Sequence, residues 1–346
     1  MKVGLVGFAG SGKTTVFNAL TGLAVPVGFG GEVRLGTVKV PDQRIDKLSG
    51  IFKPKKTTYA EISFCDIPGE HGAHKKGLST KALEQIRNQE VLCLVLRDFD
   101  NPGLEEKPDP SGELEAFHTE CLFADLSIVE RRLDRAHKEK INPLEIATFQ
   151  KMKETLEQEL PLRSLSELEL HREQLKGYSL LTDRPLMVVL NRREGDAAKP
   201  LPEALAQRLA QISAEGFVLS ASVEAEIAGM DPADQPAFLE DLGLKEPGLL
   251  RFIRTAYHLM DLISFFTVGP DEVRAWTIRR GENAKQAAGK IHSDLERGFI
   301  RAEVIHWRDF IDLGSYAEAR KHGKLRVEGK AYVVQDGDIM NILFNV

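Results

Sequence analysis

Eight residues near the start of the chain, Gly7-Phe8-Ala9-Gly10-Ser11-Gly12-Lys13-Thr14, have the spacing of a phosphate cradle. Glycines let backbone N–H groups close around phosphate oxygens, and a helix N-terminus behind the loop adds its dipole. In G-x(4)-G-K-[ST] the lysine reaches the β and γ phosphates and the hydroxyl binds Mg²⁺. Ala9, Gly10, Ser11, Gly12, Lys13, Thr14 and Thr15 are the nucleotide-binding residues this predicts, with Lys13 also counted as catalytic and Thr14 as a metal ligand. The alternative is a chance glycine-rich turn. The context argues against it, because the strand-like run Lys2–Val6 precedes the loop and a helix-like Thr14–Leu20, closed by Gly22, follows.

Two more motifs complete such a site. Asp66-Ile67-Pro68-Gly69 fits D-x-x-G one strand later, which makes Asp66 the second metal-side group and Gly69 the N–H that senses the γ-phosphate. Glu70, His71 and His74 come next. His71 is a candidate water-positioning group, against the reading that this is a solvated switch loop; Glu70 beside phosphates would meet charge repulsion. After the apolar run Leu186–Leu190 stands Asn191-Arg192-Arg193-Glu194, where a guanine site shows N-K-x-D. The Asp of that motif accepts from the guanine edge; Glu194 reaches one methylene further, and Arg192 is bulky and planar enough to stack on either purine. Ser220-Ala221-Ser222 then supplies a loop suited to backbone contacts with the base.

These groups need elements to carry them. Val38–Val40 with Tyr59–Phe64, then Val91–Leu96, Leu186–Leu190 and Phe217–Leu219, read as buried strands separated by helices: an α/β, doubly wound, mostly parallel sheet. Leu122, Leu126, Val129, Leu133 and Ala136 recur at helical spacing. Phe149, Met152, Leu156 and Leu160 do so beyond Asn142-Pro143, which predicts two antiparallel helices with an apolar seam. Ser166 and Glu169 suggest a capping box for a third helix. From Asp261 on, strand-like ISFFTVG and VRAWTIR, helix-like Asn283–Leu295, strand-like Phe299–Ile305 and a turn at Asp336-Gly337 predict a small β-grasp-like α+β domain. The expected boundaries are 1–112 with 179–260 for nucleotide binding, 113–178 for the helical coiled-coil insertion and 261–346 for the last domain.

Composition narrows the partners. The chain has 346 residues, 42% of them hydrophobic, and a net charge of −6, which argues against broad coating of nucleic acid. Arg279-Arg280 and Arg320-Lys321 with Lys324 and Arg326 are local basic clusters that could face RNA or simply solvent. Cys65, Cys93 and Cys121 have no metal-ligand spacing and suit a reducing compartment as buried small hydrophobes. No apolar run is long enough for a membrane span, and no signal peptide is expected at the N-terminus.

Together, VKVPDQRIDKL, DIPG, LNRRE, LSASVEAE, FFTVGPDEVRAWT, IHSDLERGFIRAEVI and VQDGDIMNILFNV resemble the YchF family of Obg-like P-loop ATPases over nearly the whole chain. The resemblance implies a nucleotide switch that binds ATP at least as well as GTP with Mg²⁺. It implies a C-terminal TGS domain, a cytoplasmic location and association with ribosomes or RNA through that domain and the helical arm; we expect a monomer. The chain departs from the family pattern at Gly10, where Asn is usual and supports a potassium ion. It departs again at Gly30, where a switch Thr is expected, and at Glu70-His71 after D-x-x-G. Those departures predict slow, potassium-insensitive hydrolysis. A GTPase of the same architecture, a nucleotide-binding protein with negligible hydrolysis and a small-molecule kinase are the competing readings; the β-grasp tail argues against the kinase.

Overall fold

The structure is a computed structural model, and it describes residues 1–27, 32–68, 80–136, 142–166, 170, 172–175 and 177–345. Gly30, Gly69, Glu70, His71, His74 and Glu169 lie outside the described residues.

In chain order the elements are β1 (Lys2–Val6), α1 (Lys13–Thr21), β2 (Arg34–Lys39), α2 (Gln43–Phe52), β3 (Lys56–Thr58), β4 (Glu61–Asp66), α3 (Thr80–Arg87) and β5 (Val91–Asp98). Next come α4 (Pro110–Ala136), α5 (Pro143–Glu157), β6 (Leu186–Arg192), α6 (Glu203–Gln211), β7 (Ala214–Leu219), α7 (Ala221–Gly229), α8 (Gln235–Asp241) and α9 (Gly248–Leu259). The last are β8 (Leu262–Val268), β9 (Glu272–Arg279), α10 (Ala284–Ile291), α11 (Ser293–Arg297), β10 (Phe299–His306), α12 (Trp307–Leu313), α13 (Tyr316–Lys321), β11 (Arg326–Glu328) and β12 (Asp338–Phe344). They form two compact units, residues 1–38 with 63–256 and residues 39–62 with 257–346.

The first unit carries a six-stranded sheet in the order β2-β4-β1-β5-β6-β7. β1 runs parallel to β4 and β5, β6 parallel to β5, and β7 parallel to β6. Parallel neighbours need crossovers, which bury both faces, so β5 and β6 read as unbroken apolar runs, buried at Val91–Leu96 and Leu186–Leu190. The chain leaves β1 to one side for β4 and to the other for β5. Such a reversal opens a crevice at the carboxyl ends of the strands.

The expected seam is present on α4 and α5. Leu122, Val129, Phe149, Met152 and Leu156 are buried together, joined by Leu162, Leu170, Leu175 and Leu180. Leu160 departs from the expectation: α5 stops at Glu157, and Leu160 is 38% exposed beyond it. Between Ser166 and Leu186 the described residues form only a short 3₁₀ turn, Arg172–Leu175. The arm is pinned at its root by Asp125, which is fully buried on α4. Its carboxylate accepts from Leu181 N (3.1 Å), Thr182 N (2.7 Å), Thr182 Oγ1 (2.8 Å) and Arg87 Nη1 (3.0 Å).

The second unit is the α+β, β-grasp-like domain, with strand order β11-β10-β12-β8-β9-β3. β8 and β9 form an antiparallel hairpin, and α10 opens on a capping box between Asn283 and Gln286. The alanines 284, 287 and 288 of α10 pack among Ile263, Phe265, Ile278 and Val304. The structure differs from the sequence expectation at one boundary. Residues 39–62 fall in this unit, not in the nucleotide-binding segment 1–112. β3 extends the sheet beside β9 (Thr57↔Val273), and Phe52 stacks on Phe310 at 5.2 Å. A three-residue polar strand has no periodicity to announce this pairing. The basic clusters are also less free than their sequence suggests: Arg280, Arg320, Lys321, Lys324 and Arg326 each lie within ion-pair distance of a carboxylate.

Candidate nucleotide site

Parallel pairing brings the motifs to one edge of the first sheet. Leu5 of β1 is level with Asp66 of β4, Arg97 of β5 with Asn191 of β6, and Asn191 with Leu219 of β7. The loops that leave these ends, 7–12 and 220–222, therefore face the same crevice.

The first loop turns where only glycine turns easily. Gly7, Gly10 and Gly12 have φ of 147°, 75° and 85°, and Gly12 is the N-cap of α1. Lys13 follows it, 7% exposed, and its Nζ donates to Gly7 O (2.7 Å) and Phe8 O (3.1 Å). The ammonium is thus held at the mouth of the loop. Burial lowers its pKa to about 8, although Asp66 and Glu113 oppose that shift. Ser11 is buried, and its Oγ has no hydrogen-bond partner. Ala9, Thr14 and Thr15 are half-buried around the loop.

Thr14 Oγ1 donates to Asp66 Oδ2 at 3.0 Å. The other oxygen, Oδ1, is buried without a partner, and burial raises the pKa of this carboxyl despite Thr14, Lys13 and Arg34. A hydroxyl and an orphaned carboxylate oxygen are hard donors that suit Mg²⁺. Among the described residues no cluster of three or more His, Cys, Asp or Glu could hold a metal alone, so a cation here would take further ligands from phosphate and water.

Asn191 ties the two sides of the site together. It is 3% exposed; Nδ2 donates to Ser11 O (3.0 Å) and Oδ1 accepts from Ala221 N (3.0 Å). Ser220 is buried at the N-cap position of α7 without a side-chain capping bond, its Oγ lying 3.0 Å from Ser222 Oγ, while Ser222 is exposed. Glu194 is exposed at the head of a 3₁₀ turn. Arg192 is not placed as the stacking platform its chemistry allowed. Its Nε donates to Asp98 (2.6 Å), and Nη1 donates to Lys199 O (3.3 Å) and Pro200 O (3.1 Å). A nearby carboxylate captured the guanidinium before any base could.

Three features escape sequence reading. Arg97, 4% exposed, donates to the carbonyls of Phe99, Glu106 and Lys107 and so curls the loop after β5 over the P-loop. That loop presses on Gly10. A Cβ there would lie 2.6 Å from Leu104 Cδ1 and 2.9 Å from Asn101 Nδ2, two side-chain ends that would have to shift. Glu113 sits behind, accepting from Arg97 N (3.0 Å), and burial pushes its carboxyl up to about 7. The third is Arg34, whose Nη1 lies 3.9 Å from Asp66 Oδ2. Its one sequence signal is that it is the sole cation between Lys13 and Lys39.

Comparison with known proteins gives a consistent picture. A family described as "50S ribosome-binding GTPase" matches residues 2–129, and the YchF-GTPase C-terminal family, described as a "Protein of unknown function", matches residues 262–345. The "Ribosome-binding ATPase YchF" of Bacillus subtilis is 38% identical, covering 100% of both chains. That of Escherichia coli O157:H7 is 39% identical over 100% of this chain and 99% of its own. The solved Schizosaccharomyces pombe YchF GTPase superposes with a TM-score of 0.86 at 30% identity, over 99% of this chain and 97% of that one.

Proposed function

Because the chain belongs to the YchF family, we propose that it is a slow, Mg²⁺-dependent P-loop ATPase whose bound nucleotide governs association with the ribosome. The observation that carries this reading is the convergence of Lys13, Thr14 and Asp66 at one strand edge, with the orphaned Asp66 Oδ1 beside the threonine hydroxyl. Bound Mg²⁺ would neutralise charge on the phosphates. Thr14 would hold it directly and Asp66 through water, while Lys13 and the loop N–H groups grip the phosphates. Gly69 and His71 are assigned to the γ-phosphate side by their motif positions. Asn191 braces the base-side loops, and Glu194, Ser220, Ala221 and Ser222 line the base.

Preference for ATP over GTP rests on Glu194, whose carboxylate is set for a longer reach than a guanine-reading Asp. The second reading, a GTPase, is favoured by the names of the fission-yeast relative and of the family matched at 2–129. We assign residues 113–178 to a helical insertion and 261–346 to a TGS-like domain, both as ribosome-facing parts, and place the protein in the cytoplasm as a monomer.

The test is displacement of a fluorescent ADP by ATP or GTP, followed by co-sedimentation with ribosomes in each nucleotide state. Displacement by ATP at equal or lower concentration than GTP, with nucleotide-dependent sedimentation, is expected. Displacement by GTP at tenfold lower concentration makes it a GTPase. Lys13→Ala binding ATP as tightly as the unmodified chain, measured by calorimetry, removes the P-loop reading altogether.

A further inference from the structure

Between Gly22 and Gly36 the chain has no serine or threonine, and its only cation is Arg34. A stretch that in the nucleotide reading should close on the metal and terminal phosphate thus has no hydroxyl to offer them. What it does offer is placed. Arg34 starts β2, beside β4. Thr37 Oγ1 lies 3.4 Å from Ser63 Oγ, and three residues along each strand, in opposite senses, Arg34 meets Asp66. The guanidinium therefore stands at the carboxylate that flanks Thr14.

It stands there without being captured. At 3.9 Å from Asp66 Oδ2 it is an ion pair and not a hydrogen bond. Among the described residues, one of its five N–H donors has an acceptor, Pro26 O at 3.2 Å. The side chain is 28% exposed, so its remaining donors are within reach of a ligand, and the Pro26 carbonyl fixes its direction. Compare Arg192, which a carboxylate and two carbonyls hold fast.

We propose that Arg34 is a phosphate-contacting residue for the terminal phosphate of ATP, supplying from the first switch a charge in place of a hydroxyl. This rests on the P-loop reading above. Lys13 approaches the β and γ phosphates from the loop side, and ADP carries less charge at its phosphate end than ATP. Arg34 therefore answers the charge that distinguishes the two, and makes the site prefer the triphosphate.

The experiment is calorimetry of the full chain with ADP and with adenylyl imidodiphosphate, each with Mg²⁺ and with EDTA. Arg34→Ala should weaken the triphosphate analogue about 10- to 100-fold, the worth of one charge-assisted hydrogen bond, and change ADP by less than about twofold. Arg34→Lys, which keeps the charge, should recover most of that preference. Arg34→Gln, of similar length but neutral, should behave as alanine does, and stands in for it if the alanine variant fails to fold. Equal loss for both nucleotides, or no loss for either, overturns the inference. So does a gain in analogue affinity, the mark of a cation that merely competes with Mg²⁺ for Asp66. The unmodified chain and Lys13→Ala run alongside. If the first binds neither nucleotide, or the second binds both unchanged, the P-loop reading fails and takes this inference with it. If both controls behave and only Arg34 is silent, the inference alone fails.

Discussion

Asn191→Asp is the sharpest probe of the site, because it changes one atom pair and almost no shape. In the folded chain the carboxamide is 3% exposed, donates to Ser11 O at 3.0 Å and accepts from Ala221 N at 3.0 Å. An aspartate still accepts from Ala221 N. It cannot donate to Ser11, and sets an anionic oxygen against a carbonyl in a dry place. Asn191→Ala, by contrast, leaves both backbone groups without partners. At ~1–3 kcal/mol for each orphaned group, the alanine variant should lose about 4 kcal/mol. The aspartate variant leaves one orphan, adds a buried charge and should lose at least as much at neutral pH. The two differ in acid. Protonation gives the aspartate an O–H that can donate to Ser11 O, so its stability should recover as pH falls, while the alanine variant gains nothing comparable. Urea unfolding of the three proteins at two pH values measures this, with calorimetric ADP affinity as the functional partner. An Asn191→Asp variant within ~1 kcal/mol of the unmodified chain at pH 7.5, with ADP affinity within about twofold, refutes the brace.

Three further outcomes follow from other residues. Asp125→Ala strands Leu181 N, Thr182 N and Thr182 Oγ1 and weakens the grip of Arg87, so urea unfolding should show a loss of ~3–5 kcal/mol. Glu113 holds a proton up to about pH 7 when folded and only to ordinary carboxyl pH when unfolded, so its contribution to stability falls as pH rises from about 4.5 to 7. That slope amounts to about 3 kcal/mol, and Glu113→Gln should flatten it in a pH series of urea midpoints. Gly10→Asn drives a side chain into Leu104 and Asn101 and should cost ~1–3 kcal/mol, of which Leu104→Ala should return a measurable share in a double-mutant cycle.

The parts legible in sequence share one property: their meaning is local. A glycine loop between an apolar run and a helix specifies its own backbone, and Gly7, Gly10 and Gly12 indeed take positive φ. The runs at Val91–Leu96 and Leu186–Leu190 announce burial on both faces, and the α4–α5 seam announces its helical period. The illegible parts depend on which distant residue arrives first. Arg192 met Asp98, 94 positions away, so its flat guanidinium never became a platform. Asp125 gave no hint of being the root of the helical arm, because its partners Leu181 and Thr182 lie 56 and 57 residues away. Residues 39–62 joined the second unit through a strand too short and polar to show a period.

The same distinction explains how one sheet edge becomes a site that can tell phosphates apart. Motif residues place the generic chemistry: Lys13 for charge, Thr14 and Asp66 for a hard cation, Asn191 for the base-side loops. Lys13 and a metal at Thr14 and Asp66 reach the γ-phosphate but equally serve the β-phosphate that ADP shares, so they separate ATP from ADP only in part. Further discrimination comes from a residue whose reach is toward the terminal phosphate alone, and register decides which residue that is. β2 lies beside β4, so whatever occupies position 34 is carried to Asp66 whatever its type. With a cation there, and no hydroxyl between Gly22 and Gly36, the response of the first switch to the triphosphate becomes electrostatic and not hydroxyl-mediated. An electrostatic contact at a quarter-exposed side chain weakens with ionic strength, whereas a hydroxyl–metal bond does so far less. The preference for triphosphate over diphosphate in this chain should therefore shrink as salt rises, and that of Arg34→Gln should shrink less.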